Sequence, residues 1–259
     1  MAVRVERDGR GVVRLILDAP ETRNALSASV MDALSETADG LASDREARVV
    51  VLTGEGETFC AGGDLNWMRA QASASDSERR TEARRLADML GRLDRLPQAV
   101  IGRVQGGAFG GGVGLMSVCD VCIAANDARF GLTETRLGLI PATIGPYVVA
   151  RIGAGAARRT MLSGERFGAE DAARLGLVSR AVAPSELDGT IEREVAEHLK
   201  AAPGAIAAAK AMIRDLAPAA TEAAIAASVD RLTSRWRDPE AEEGIAAFFE
   251  KRKPDWNRS

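Results

Sequence analysis

Apolar positions along this chain change period several times, and each change predicts an element. Val3 to Val5 and Val12 to Leu17 are strand-like and flank Asp8-Gly9-Arg10-Gly11, a turn composition, so the chain opens on a β-hairpin. After Ser27, a residue suited to an N-cap, Val30, Met31, Leu34, Ala38 and Leu41 fall on one helical face, and Asp39-Gly40 marks the end of that helix. Three short apolar runs of the buried-strand type follow, Arg48 to Leu52, Ala99 to Val104 and Asp120 to Ala124, each trailed by a Gly-rich or polar turn and then a helical pattern. Between the first two runs, the charged and Ser-rich start of Ala70 to Leu96 predicts a mobile loop, of the kind that covers sites, leading into a helix with Leu86, Met89, Leu90 and Leu93 inward. From Glu165 the pattern is helical: Ala169 to Arg174, Leu187 to Ala201, Gly204 to Leu216, Thr221 to Arg235 and Glu240 to Lys251. Ala205, Ala208, Ala209 and Met212 suit close helix packing, and no linker sets this region apart. The expected class is α/β, with a helical tail resting on a mixed core or on a neighbouring subunit.

Composition narrows the class of protein. With 46% hydrophobic residues among 259, the chain has material for a sizeable core. No run reaches the roughly 20 apolar residues of a membrane span, and MAVRVERDGR has charge where a signal peptide needs an apolar stretch, so a cytoplasmic protein without a membrane partner is expected. Cys60, Cys119 and Cys122 are too few for a disulfide scaffold and fit a reducing compartment. The net charge of −3, with basic residues mixed among acids as in Ser77 to Arg85, argues against a nucleic-acid partner.

Chemistry is concentrated in three segments. VQGGAFGGGVGL, Val104 to Leu115, carries six glycines and opens an apolar helix, which is costly to a helix unless something must approach the backbone. FCAGGDL, Phe59 to Leu65, is a second small-residue corner between a strand and a helix. It reads either as a loop with an Asp64 cap or, with the first corner, as one of two places whose amides converge on a carbonyl oxygen that gains negative charge. A dinucleotide or Walker-type phosphate site is not expected, because neither glycine spacing is present. In ARFGLTETRLGLIP, Ala128 to Pro141, Glu134 is a carboxylate among apolar and glycine residues: a general acid or base with a pKa raised by desolvation, or a salt-bridge partner of Arg129 or Arg136.

FCAGGDLNWM, GGAFGGGVGLMSVCD and ARFGLTETRLGLIP, in this order, resemble the crotonase superfamily of enoyl-CoA hydratases and isomerases over nearly the whole chain. Asp64 to Met68, Gly145 to Val149, Gly155 to Arg159 and the terminal Phe-Glu-Lys-Arg-Lys-Pro are most similar to bacterial 3-methylglutaconyl-CoA hydratases. The resemblance implies a spiral of repeated ββα units over residues 1–195 holding the acyl-CoA site. It implies a helical C-terminal region over 196–259 that makes trimers or a dimer of trimers. It assigns the Gly63 and Gly111 amides to an oxyanion hole and Glu134 to proton transfer. The Asn24-Ala25 and Cys60-Ala61 stretches match backbone that cradles CoA, and Asp64, Leu65, Gly114 and Lys251 count with them as substrate-contacting positions. No metal or redox cofactor is implied; coenzyme A enters only as the substrate thioester.

The sequence departs from the two-glutamate members at Gly114, which has no carboxylate one turn into the helix after the glycine triplet. One carboxylate can add water to a 2-enoyl thioester or move a proton between C2 and C4, so hydratase is expected with isomerase as the alternative, ahead of a non-catalytic CoA- or RNA-binding protein. Cys119-x-x-Cys122 lies in an apolar run and reads as core thiols, and His198 as a surface residue of a charged helix. Trp67, Met68 and Ile140 read first as packing and second as acyl-pocket walls. Lys251 reads equally as a solvated helix end or as a CoA phosphate contact.

Overall fold

Alternation of strands between two layers positions the site. The computed structural model describes residues 2–216 and 220–257. Strands β1 (Val3–Arg7) and β2 (Val12–Leu17) form the antiparallel hairpin, and β2 continues in parallel to β3 (Val49–Gly54), β4 (Ala99–Val104), β6 (Val121–Ala125) and β9 (Arg180–Val182). The interior strand β3 is buried at every position, which is why the sequence there is a continuous apolar run. A second sheet of β5 (Gly107–Phe109), β7 (Arg129–Gly131) and β8 (Arg166–Gly168) is reached immediately after β4 and β6, so each turn of the chain leaves one strand in each layer. The segment after β3 follows the same route, as Cys60 bridges Ala108 at the edge of β5.

The helices close the turns. Helix α1 (Ala28–Ser43) buries Val30, Met31, Leu34, Ala38 and Leu41, as its spacing predicts, and Ser27 caps it by accepting from the Val30 amide at 3.3 Å. It does not stop at Asp39-Gly40: buried Leu41 carries the stripe one turn further, and the Asp44 amide closes on the Leu41 carbonyl at 3.1 Å. The mobile loop expected from Ala70 is also absent. Helix α2 (Leu65–Ser73) is followed after Ala74 and Ser75 by α3 (Asp76–Asp94), which a reciprocal Ser75–Glu78 capping box starts at once. Helix α4 (Gly111–Ser117) is buried throughout, and α5 (Gly145–Ser163), which periodicity did not bring out, is kinked at Gly153, whose φ is 73°. The remaining helices are α6 (Ala169–Arg174), α7 (Leu187–Leu199), α8 (Pro203–Leu216), α9 (Glu222–Arg235) and α10 (Pro239–Phe249).

The main core lies between the six-stranded sheet and α1, α3, α4 and α5, with Leu15, Leu34, Leu52, Leu90, Val100 and Phe130 among its buried members. Helix α10 turns back over the site side, where Trp236, Ala241 and Ile245 pack on Leu139. Buried Lys210 ties α8 to the sheet, donating to the Gln98 carbonyl at 2.7 Å and to Asp120 at 2.6 Å. No described helix is long and apolar enough to cross a membrane.

Candidate active site

Backbone pairing brings the two small-residue corners together. Cys60 donates its amide to the Gly107 carbonyl at 3.1 Å and accepts the Phe109 amide at 3.1 Å. Beyond this pairing a β-carbon on Gly112 would stand 2.5 Å from the Cys60 carbonyl oxygen, and one on Gly62 would stand 2.7 Å from that of Phe109. These are the close approaches that the glycines permit. The same imaginary carbon on Gly62 would lie 3.7 Å from the Gly111 amide nitrogen, so the corners face each other across a side chain's width.

Two amides are left over by this arrangement. Leu26 donates to the Gly62 carbonyl at 2.7 Å and accepts the Asp64 amide at 3.3 Å, which turns the amide of the intervening Gly63 away from Leu26. Gly111 is the first residue of α4, so its amide has no intrahelical acceptor, and Gly110 offers no side chain to cap it. Gly110 itself has φ 47° and ψ −114°, and its amide donates to the Gly131 carbonyl at 3.0 Å.

That bond draws the Glu134 segment to the corner. Glu134 opens a 3₁₀ turn, Glu134–Leu137, and its Oε1 lies 3.0 Å from where a Gly110 β-carbon would stand. Its Oε2 is buried without a hydrogen-bond partner, so the ion pair to Arg129 or Arg136 does not form. Arg129 instead donates to the carbonyls of Asp127 and Ala128, and Arg136 to that of Ser163. Loss of water pushes the Glu134 carboxyl up to about 7, with its own backbone amide opposing the shift. Helix α10 backs the turn at backbone distance: a β-carbon on Gly244 would meet the Leu137 carbonyl at 2.5 Å, and Arg235 donates to the Gly138 carbonyl at 2.7 Å.

A cavity of about 830 Å³ opens over these groups. Ala25, Ala61, Gly63, Asp64, Leu65, Gly111 and Glu134 line it, together with Trp67, Met68 and Ile140. Asp64 is also the cap of α2, accepting the Asn66 and Trp67 amides at 2.9 and 3.0 Å. Four expected contact residues do not line it. Asn24 is buried and spent on the backbone, accepting from Ala19 and donating to the carbonyls of Glu55 and Thr58. Cys60 is fully buried, its thiol pushed up to about 12 by burial, and contributes only its backbone. Lys251 is exposed beyond the end of α10. Gly114 is the instructive case: its empty place is filled, since a β-carbon there would meet Ile144 Cγ2 at 2.6 Å and Leu90 Cδ1 at 3.3 Å. The second-acid position is therefore apolar wall, presented to the cavity by Ile144.

Several lining residues carried no sequence signal, because they come from distant segments: Thr143 and Ile144 before α5, Arg166 on β8, and Trp236 and Phe248 from the C-terminal helices. The sulfurs of Cys119 and Cys122 donate to carbonyls of α4 in the core, as expected, and no cluster suited to a metal occurs among the described residues. His198 is half-buried, its Nδ1 2.9 Å from the Glu194 carbonyl.

Paired strands in two layers carry two glycine corners with unclaimed amides and a desolvated carboxyl, an α/β arrangement with a built cavity. Comparison with known proteins makes this specific. The enoyl-CoA hydratase/isomerase family model matches residues 7–259, and the chain belongs to that family, within the crotonase superfamily. It is 34% identical to the 2,3-dehydroadipyl-CoA hydratase of Escherichia coli K12 over 95% of this chain and 94% of that one. It is 31% identical to the short-chain-enoyl-CoA hydratase of Clostridium acetobutylicum over 96% and 95%. A crystal structure of a Mycobacterium smegmatis enoyl-CoA hydratase superposes with a TM-score of 0.80 at 38% identity, covering 99% of each chain.

Proposed function

We propose that the protein is an enoyl-CoA hydratase in which Glu134 is the single proton-transfer group and the Gly63 and Gly111 amides form the oxyanion hole. The observation that carries this reading is Glu134, whose Oε2 is buried without a hydrogen-bond partner, beside two amides that nothing in the protein claims. The thioester oxygen sits between the two amides. Glu134 takes a proton from water as the water oxygen bonds to Cβ, and the π electrons move through Cα into the carbonyl to give an enolate. The two amides hold the oxyanion, worth about 10²- to 10³-fold per donor in sites of this kind. The protonated Glu134 then returns the proton to Cα, so one water is added and the base regenerated. Proton transfer and hydrogen bonding balance the reaction, and it needs no metal or redox cofactor.

Glu134→Gln tests the assignment, with an expected loss of at least ~10²-fold in turnover. Unchanged turnover in a folded variant would remove Glu134 from the chemistry. As a base, Glu134 works ionised, so kcat/KM for hydration should rise with pH through about 7. The single carboxyl, with Ile144 in place of a second acid, also supports an isomerase reading in which Glu134 carries a proton from C2 to C4. The two separate cleanly: a hydratase places solvent deuterium at Cα of a 3-hydroxyacyl product, whereas an isomerase converts 3-enoyl-CoA rapidly and hydrates no 2-enoyl-CoA.

Assembly into trimers or larger oligomers is part of the same reading. Met212, Ile213 and Leu216 of α8 are 55%, 59% and 77% exposed, a face that association of copies would cover. Sedimentation measurements test it, and a monomer at micromolar concentration would exclude it.

A further inference from the structure

Three arginines line the cavity, Arg23, Arg69 and Arg166, and among the described residues none of them has an ion pair. They occupy different places. Arg23 belongs to the Ala61 corner, where its carbonyl accepts the Ala61 amide at 2.9 Å. The Arg69 guanidinium lies 4.2 Å from the ring centre of Phe249, at the α10 side.

Arg166 belongs to the reacting end. It stands opposite Gly131 in the β7–β8 register, and Gly131 supplies the carbonyl that accepts the Gly110 amide. A β-carbon on Gly131 would touch Thr133, Phe109 and Arg166 at 3.2, 3.3 and 3.5 Å, so these three side chains meet at one point beside the Gly110–Glu134 corner. The guanidinium lies 5.2 Å from the ring centre of Phe109, the residue just before Gly110. Stacking on a ring fixes the plane of the group and leaves its N–H edge free. The nearby Asp171 does not occupy that edge, being paired with Arg174 and Arg159.

From this placement we infer that Arg166 is a specificity-determining residue that receives the free carboxylate at the far end of an acyl chain, so that the preferred substrates are CoA thioesters of dicarboxylic acids. The inference rests on the acyl-CoA site proposed above and identifies what that site selects. A planar fork suits a carboxylate, which it binds through two parallel hydrogen bonds. Arg166 is exposed at the cavity edge, so with an uncharged acyl tail its guanidinium stays hydrated and contributes nothing to selection.

The test uses saturated thioesters, which bind without reacting, in pairs matched for length: glutaryl-CoA against pentanoyl-CoA and adipyl-CoA against hexanoyl-CoA. Titration calorimetry on the wild-type protein should give tighter binding of the dicarboxylic member in at least one pair. Arg166→Gln should weaken that member by about 10- to 100-fold and leave its neutral counterpart within about twofold, the range of a lost charged hydrogen bond. Arg166→Lys, which keeps the charge but loses the fork, should restore part of the preference. Equal affinities within both pairs in the wild type would overturn the proposal. So would a preference that survives in Arg166→Gln, or an equal loss for both members of a pair. Because no double bond is present, these outcomes do not depend on the reaction catalysed. The hydratase reading fails separately, if the wild-type protein leaves the enoyl absorbance of both crotonyl-CoA and 2,3-dehydroadipyl-CoA unchanged.

Discussion

The two strand-to-helix corners that frame the cavity are built in opposite ways. At the first, Asp64 folds its carboxylate over the start of α2 and uses up two amides, and the helix that follows is largely exposed. At the second, Gly110 provides no cap and α4 is buried from Gly111 to Ser117. The first corner is capped by a side chain at the surface and the second is held by packing, yet each leaves one amide open, that of Gly63 and that of Gly111. At the second corner an amide stays available because no side chain is present to satisfy it and the surrounding backbone is tightly packed.

Substitution at the packed corner should have the largest effect. Gly112→Ala sets a carbon 2.5 Å from the Cys60 carbonyl and must push the corners apart. Overpacking of this kind costs roughly 1–3 kcal/mol, and a displacement near 1 Å costs about 10²-fold in rate. Denaturant melting and turnover measure the two, and a variant normal in both would mean that the corners yield to each other.

Next in size is the pH dependence of stability. Glu134 ionises near its ordinary 4.5 when unfolded and near about 7 when folded, so the native state holds the proton more firmly. Its favourable contribution is complete below about 4.5 and is lost as pH rises through about 7. Glu134→Gln should therefore gain stability over the wild type across that window, by an amount on the order of 3 kcal/mol at pH 8. A difference that stays flat with pH would contradict the desolvated carboxyl.

A similar or smaller change is expected for Gly114→Ala, whose new carbon meets Ile144 Cγ2; a destabilisation of roughly 1–3 kcal/mol is expected. Combined with Ile144→Ala, the double variant should be more stable than the sum of the two single effects allows, since the added methyl enters the space that was cleared. Strict additivity would separate the two residues. Asp64→Ala at the capped corner is the mildest, costing about 1 kcal/mol through the lost cap. A collapse of turnover there, on the scale expected for Glu134, would erase the distinction between the corners.

Local pattern made most of this frame legible. Strand β4 and helix α6 have the bounds that their apolar spacing predicts, and both glycine corners stand out by composition alone. The start of α3 was hidden because its inward face is thin and its charges read as solvated loop. In the structure Arg80, Arg84, Arg85 and Arg92 pair with Asp230, Glu222, Asp32 and Asp39 of α9 and α1. Helix α5 was hidden by Gly145, Pro146, Gly153 and Gly155, which weaken any helical pattern, and Gly153 does kink it. Glu134 was legible as a carboxylate in apolar company, whereas the filling of the Gly114 position was not. The methyl that fills it comes from Ile144, thirty positions on, and no local spacing encodes that contact. Arg166 was invisible for the same reason, since its meaning depends on the ring of Phe109 and the register of β8 with β7.

The burial of Cys60 has a consequence for chemical self-compatibility. A thioester is an acylating agent toward thiolates: exchange of sulfur for sulfur would free CoA and leave the protein acylated. Cys60 lies next to Ala61, which lines the cavity, so its backbone is near the place where such a thioester is to be held. With its sulfur fully buried and its pKa pushed up to about 12, it has almost no thiolate to offer at neutral pH. The corner thus uses the cysteine as a small apolar packing unit, which would stay inert to a thioester bound as proposed above.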